Sequence, residues 1–314
     1  MITETAVPKG FQDGFISCEG GVDSGRDPGL LPANVMADAL NATFRGGMPK
    51  PRPGVKKLGL TYDGVATQAA FETGLFQGAG GYVALDGSLY INLSISGQIF
   101  SVPLSSSSLT ASKLSLGVGI NDNSPVLRKA WFVQADRYQI IQDDQSKPLI
   151  WDGAAIRRAY RNEVPTGGPM AYGLGRLWVG VGRDFVGGDI IYGDPDFGTA
   201  NVLRFTENDV IAEGGAFSVP WQAGDITGMS FAAKTDTSSG EGSLMVFTAN
   251  GVFEFDAPTD RTTWKDLQQP IQRFALLRNG AESHESITQV NGDLFFRSTD
   301  GIDGCFRQLF NVMS

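Results

Sequence analysis

One pattern constrains this chain more than any other: an apolar or aromatic run, a tight turn signal, and a second such run. The first instance is "GYVALDGSLYINL" (81–93), where Asp86 and Gly87 stand between two β-prone runs and read as a two-residue hairpin turn. Four further segments have the same form: "AWFVQADRYQIIQDDQSKPLIWDG" (130–153), "AYGLGRLWVGVGRDFVGGDIIYGD" (171–194), "GSLMVFTANGVFEFD" (242–256) and "NGDLFFRSTDGIDGCFRQLF" (291–310). Their starts are separated by roughly 40 to 70 residues, which suits a four-stranded unit with variable outer loops better than the even rhythm of a simple sandwich. The expected fold is all-β, a β-propeller of about five recognisable blades, with a β-sandwich pair as the alternative.

Composition agrees with short strands and many turns. The chain has 41 Gly and 15 Pro among 314 residues, and Gly supplies positive φ while Pro interrupts helices, so little helix is expected. Residues 1 to about 60 differ from the rest, with no sustained period of 2 or 3.6. Their one helical candidate is "PANVMADALNATF" (32–44), where Pro32 suits a first helical turn and Val35, Met36, Ala39 and Leu40 share a face. Pro49, Pro51 and Pro53 then hold their predecessors extended, as in polyproline II. The chain is thus divided into an extended Gly/Pro-rich docking arm (1–60) and a propeller-like domain (61–314). "PLSSSSLTAS" (103–112) and "KTDTSSGEGS" (234–243) read as exposed loops.

The net charge of −9 argues against a surface that binds DNA throughout, because phosphate binding draws on Lys and Arg. Cys18 and Cys305 are too far apart in sequence to suggest a metal cluster and read as reduced thiols. "MITETAVPKG" lacks the basic start and apolar run of a secretory signal, and no window approaches about 18 apolar residues, so a soluble chain without a membrane-spanning segment is expected.

The residues offer little catalytic chemistry. The one histidine, His284, lies in the polar stretch "NGAESHESITQ" beside Glu282 and Glu285 and reads as a solvated or strand-start residue, and no G-x-S-x-G elbow accompanies it. The acidic turns read as turn-formers rather than calcium ligands, since none matches the twelve-residue calcium loop. Asp194, Asp196, Asp225 and Asp256 are candidates for the paired carboxylates of a propeller-type glycan hydrolase. "PTDRTTWKD" (258–266) departs from the aspartate box of sialidase-like propellers in lacking its glycine and in the spacing from Asp260 to Trp264. "GLGRLWVGVG" (173–182) is a strand rather than a phosphate loop, because Trp178 and Val179 continue it where a helix would begin. No catalytic, cofactor-binding or metal-ligating residue is assigned, and the chain is expected to be no enzyme.

"NATFRGGMPKPRPGVKKL" (41–58) gathers Arg45, Lys50, Arg52, Lys56 and Lys57 in an otherwise acidic chain. Spaced by Gly and Pro, these charges make a weaker electrostatic patch than a continuous basic run. The alternating prolines favour a preordered strand that docks on protein. Arg45, Pro49, Arg52 and Pro53 are the candidate subunit-docking residues, the arginines through two-pronged bonds to carboxylates.

"GGVDSGRDPGLLPANVMADALNATFRGGMPKPRPG" (20–54) resembles the N-terminal region of bacteriophage virion proteins in which an arm precedes a β-propeller. The matching residues are Gly21, Val22, Pro32, Asn34, Asn41, Arg45, Gly46, Gly47, Pro49, Arg52, Pro53 and Gly54. "YQIIQDDQSKPLIWDGAAIRRA" (138–159), "YGLGRLWVGVG" (172–182), "IIYGDPDFG" (190–198) and "GDLFFRSTDGI" (292–302) are similar to the same group. The likeness is to the tail nozzle, or tail tubular, proteins of short-tailed phages, from which this chain departs in being short. It implies a structural protein of a phage tail or neck, made in the host cytoplasm and carried in the virion. Such a protein forms a ring of copies, commonly hexameric, that joins an adaptor or tail protein and surrounds double-stranded DNA without reading its sequence. The alternative is a host-surface, glycan-binding module using the exposed loops and Trp131, Trp151 or Trp264. A propeller-type glycan hydrolase is the third reading.

Overall fold

A computed structural model describes residues 20–23, 27–32, 34–37, 39, 42–43, 50–55, 58–104, 108–117, 121–160, 163–190, 203–204, 216–233, 241–255, 271–275, 279–290 and 292–305. The chain divides into two compact units, Met1–Gly59 and Leu60–Ser314.

In the first unit, β1 (Ala42–Thr43) pairs antiparallel with β2 (Lys50–Pro51), and a short 3-10 turn covers Pro28–Leu30. The helix expected over 32–44 is not what its described residues form. Val35 N–H closes a turn onto the Pro32 carbonyl, Met36 N–H bonds the Gly21 carbonyl, and the Met36 carbonyl receives Asp23 N–H. Met36 therefore pairs across to Val22, and Ala42 and Thr43 are drawn extended by the proline-rich strand opposite.

The second unit is a succession of sheets in chain order, antiparallel except for one parallel pairing at the edge of the first. Sheet 1 holds β3 (Thr61–Tyr62), β4 (Phe76–Val83), β5 (Leu89–Ile95), β6 (Gln98–Pro103) and β7 (Thr110–Lys113), with helix α1 (Val65–Thr73) between β3 and β4. Sheet 2 holds β8 (Trp131–Ala135), β9 (Tyr138–Gln142), β10 (Leu149–Trp151) and β11 (Ile156–Arg158). Sheet 3 holds β12 (Met170–Gly173), β13 (Arg176–Val181), β14 (Asp184–Ile190), β15 (Leu203–Arg204) and β16 (Ala216–Ser218). Sheet 4 holds β17 (Ile226–Ala233), β18 (Glu241–Thr248), β19 (Val252–Phe255) and β20 (Ile271–Ala275). Sheet 5 holds β21 (Thr288–Val290), β22 (Asp293–Ser298) and β23 (Gly301–Gly304).

This is an all-β, propeller-like fold, and side-chain parity shows why. In sheet 2, Ile140 and Ile150 pack toward Leu177 and Val179 of sheet 3, whereas their neighbours Ile141 and Leu149 pack toward Tyr82 and Ile99 of sheet 1. Trp178 and Phe185 of sheet 3 meet Leu244 and Val246 of sheet 4, and Met245 and Phe247 of sheet 4 meet Leu294 and Phe296 of sheet 5. Each middle sheet is thus buried on both faces, which is why its strands read as continuous apolar runs rather than as an alternation. A sandwich pair would bury only one face of each sheet. Full burial of each such side chain stabilises the fold by about 1.5–3 kcal/mol. The Cys305 thiol lies in the junction between sheets 4 and 5, where burial pushes its pKa up to about 12.

The leading strands β4, β8, β12 and β17 contact one another in succession, and small residues let them come close. A Cβ added at Gly80 would stand 2.3 Å from Phe132 Cβ, so only glycine fits where β4 passes β8. Three local expectations change. The Asp86-Gly87 turn is a three-residue loop, because Ala84 N–H bonds the Ser88 carbonyl, the Asp86 carboxylate takes Ser88 N–H, and Gly87 adopts φ 83°. The stretch 103–112 ends in strand β7 rather than remaining a loop throughout, and its residues 105–107 lie outside the described ones. Sheet 4 starts at β17, ahead of the repeat seen from residue 242.

Candidate functional site

The sheet connections build a rim at one end of the unit. Linkers from the last strand of one sheet to the first of the next meet turns between inner strands of the sheets. Asn123 N–H bonds the Gly97 carbonyl, Ser124 N–H reaches Asp143, Ile226 N–H bonds the Gly182 carbonyl, and Asn250 N–H bonds the Ala223 carbonyl. Across this rim Lys129, just before β8, forms a 2.8 Å ion pair with Glu285 from the linker that precedes β21. The Lys129 ammonium also lies 5.0 Å from the Trp131 ring centroid.

Beside that pair is a pocket of about 160 Å³ whose walls include Arg128, Lys129, Trp131, Asp143 and Asp144. The two carboxylates differ in state. Burial opposes ionisation of Asp143, but bonds from Ser146, Gln145 and Ser124 outweigh it and hold its pKa below the ordinary value. Burial, with the nearby charges of Asp143 and Asp225, raises that of Asp144. The Asp143 oxygens take the Gln145 and Ser146 N–H groups, the Ser146 hydroxyl and Ser124 N–H, so this carboxylate shapes its loop and ties it to the preceding linker. Among the described residues no group of three or more His, Cys, Asp and Glu is placed to hold a metal ion, and no helix is long and apolar enough to cross a membrane.

His284 occupies a 3-10 turn, His284–Ser286, directly before β21, and its Nδ1 accepts Met229 N–H at 3.3 Å. That bond requires an unprotonated Nδ1. Burial lowers the imidazole pKa below 6.5, Lys129 adds to the shift and Glu285 opposes it. The unfolded chain therefore takes up a proton before the folded one does, and the stability held above pH 6.5 is lost as pH falls through the folded value. His284→Asn, which keeps an acceptor for Met229 N–H, is expected to flatten the fall in melting temperature below pH 6.5. Because the chain has one histidine, its imidazole proton NMR signal reads the pKa directly. A titration midpoint at or above 6.5 would contradict the assignment.

The other residues singled out from sequence are dispersed. Arg52 and Pro53 are exposed, while Arg45 and Pro49 lie outside the described residues. Asp225 is exposed on the rim, whereas Asp194, Asp196, Asp256 and Trp264 lie outside the described residues. Trp151 is a core side chain, 4.5 Å from the Tyr82 ring, and Trp131 is partly buried against the junction of sheets 2 and 3. Among the described tryptophans the most exposed is Trp221, 72% exposed on a 3-10 turn that the Asn250 side chain holds through the Gln222 carbonyl. Composition could not separate it from the buried Trp178.

No family model and no curated protein matches this sequence. Among solved structures the chain is similar to BBS1N in its complex with ARL6DN, at 10% identity and TM-score 0.45, over 74% of this chain and 61% of that one. It is similar to the extracellular domain of a putative hybrid two-component system from B. thetaiotaomicron, at 14% identity and TM-score 0.38, over 78% and 32% of the two chains. A third is a putative 6-phosphogluconolactonase from Bacteroides uniformis, at 16% identity and TM-score 0.34, over 68% and 59%. The chain spans less than two thirds of the length of each of these proteins, and at such TM-scores the likenesses bear on neither its activity nor its partners.

Proposed function

We propose that this chain is a non-enzymatic structural protein of a phage virion, one copy in an oligomeric ring or nozzle of the tail or neck around the DNA exit path. The observation that carries this reading is the segment 50–55, in which every residue is exposed and which includes Arg52, Pro53 and Gly54 of the nozzle-like pattern. A proline-stiffened strand loses little conformational freedom on docking, and an exposed guanidinium can grip a carboxylate of an acidic neighbour in two-pronged fashion. The neighbours are other copies of the chain and an adaptor or tail protein.

The propeller-like unit supplies the rigid body of such a ring. On this reading the ring of copies surrounds the DNA path, and the ion pair between Lys129 and Glu285 helps to hold the rim of each copy. A net charge of −9 lets double-stranded DNA slide past without sequence-specific binding.

Replacing Arg45 and Arg52 together by Ala is expected to weaken ring formation in sedimentation by about tenfold or more, with DNA retention unchanged. Intact rings with lost DNA binding would reverse the assignment of the arm. The host-surface reading has one observation in its favour, the exposed Trp221. Purified protein that binds host cells and blocks infection, and loses both properties on Trp221→Ala, would put that reading first.

A further inference from the structure

Buried polar atoms without a hydrogen-bond partner concentrate, among the described residues, at the junction between sheets 1 and 2. Among the described residues, the buried side-chain N and O atoms without a hydrogen-bond partner are Asn92 Oδ1, Ser101 Oγ, both amide atoms of Asn123, Trp131 Nε1 and Trp151 Nε1. All but Trp131 Nε1 belong to this junction or to the loop at its rim.

Three of the atoms form a connected set. Asn92 and Ser101 are register partners on β5 and β6, with side chains on the face toward sheet 2. Asn92 Nδ2 donates to Gln139 Oε1 on β9, and Gln139 is in turn the register partner of Trp151 on β10. Asn92, Gln139, Ser101 and Trp151 are 0%, 0%, 6% and 2% exposed, so bulk water reaches none of them. None can readily turn away. Gln139 is held by its Nε2 bond to the Gly81 carbonyl at 3.0 Å, which fixes the Asn92 amide, and the Trp151 ring packs against those of Tyr82 and Tyr90 at 4.5 and 5.3 Å.

The chemistry of the orphans is complementary to one ligand. An indole N–H only donates, an amide oxygen only accepts, and a hydroxyl does either. A molecule that satisfies all three must accept once, donate once and bond once more in either sense. We propose that an ordered water molecule is bound between sheets 1 and 2, accepting from Trp151 Nε1, donating to Asn92 Oδ1 and sharing its remaining proton or lone pair with Ser101 Oγ. The first junction is then a hydrated seam.

Crystallographic density at high resolution is expected to show a peak within about 2.7–3.2 Å of at least two of these atoms. Ser101→Ala gives an independent reading of sign. If water is bound, the variant removes one of its anchors and lowers the melting temperature by about 2–4 °C, the shift of one hydrogen bond in a domain of this size. If the seam is dry, the variant deletes an unsatisfied buried hydroxyl, and the melting temperature stays level or rises. Absence of the peak, or a Ser101→Ala protein as stable as the parent, overturns the proposal.

Discussion

Replacing Glu163 by Ala is expected to lower the unfolding free energy of the propeller-like unit by about 3–5 kcal/mol. The carboxylate is fully buried in the linker from sheet 2 to sheet 3, and the Arg157 guanidinium grips it at both oxygens, 2.8 and 2.9 Å away. Tyr160 N–H adds a third bond at 2.8 Å. Arg157 is itself 12% exposed and stacks 4.4 Å from the Tyr160 ring centroid. Deleting the glutamate therefore strands a guanidinium where water cannot reach it well. That penalty, more than the lost attraction, sets the size of the effect. An Arg157→Met/Glu163→Leu double variant should recover most of the loss, since removing both charges removes the stranded one. Urea midpoints at constant m would measure both variants. A loss below about 1 kcal/mol would place the pair with ordinary surface salt bridges and contradict the burial argument.

Arg157 and Glu163 also show what sequence can and cannot disclose. The two stand six positions apart in "RRAYRNE", an unremarkable charged stretch, and only the turn through Tyr160 brings them together. Regular strands are more legible. "YQIIQ" and "SLMVF" combine β-branched, aromatic and long apolar residues, and adjacent positions in each serve opposite faces of a doubly buried sheet. The leading strand of sheet 4, "ITGMSFAA", escapes the same reading because its small residues answer to neighbours distant in sequence. Gly228 is one such position, where an added Cβ would stand 2.3 Å from Ile287 Cδ1. Asp86-Gly87 reads as a hairpin and is one, but the Asp86 carboxylate captures Ser88 N–H and lengthens the loop by a residue. At the rim, Lys129 and Glu285 belong to linkers of different sheets, so no spacing rule could have joined them.

Gly280→Ala tests how rigidly that rim is held, with an expected loss of about 3 kcal/mol, the upper part of the range for forcing extra atoms into a packed site. A Cβ at this position would stand 1.7 Å from the Thr248 carbonyl oxygen and 2.7 Å from that of Gly251. Both are backbone atoms of the turn between β18 and β19, closed by Thr248 N–H and Oγ1 bonds to the Gly251 carbonyl at 2.9 and 3.0 Å. Neither can rotate aside, so the linker beginning at Asn279 must move instead. Its movement would draw Ala281 from the core between sheets 4 and 5, break the 2.6 Å bond from Thr227 Oγ1 to the Ala281 carbonyl, and carry Glu285 away from Lys129. Gly292→Ala is the control, because Gly292 has φ 81° but open space around its Cβ position, so it reports backbone strain alone, about 1–2 kcal/mol. Displacing the linker also separates His284 from Met229 N–H, so in Gly280→Ala the single imidazole should titrate closer to its ordinary value of 6.5. If Gly280→Ala is no more costly than Gly292→Ala and leaves the imidazole titration unmoved, the linker yields freely and the rim is not the rigid brace that the contact at Thr248 implies.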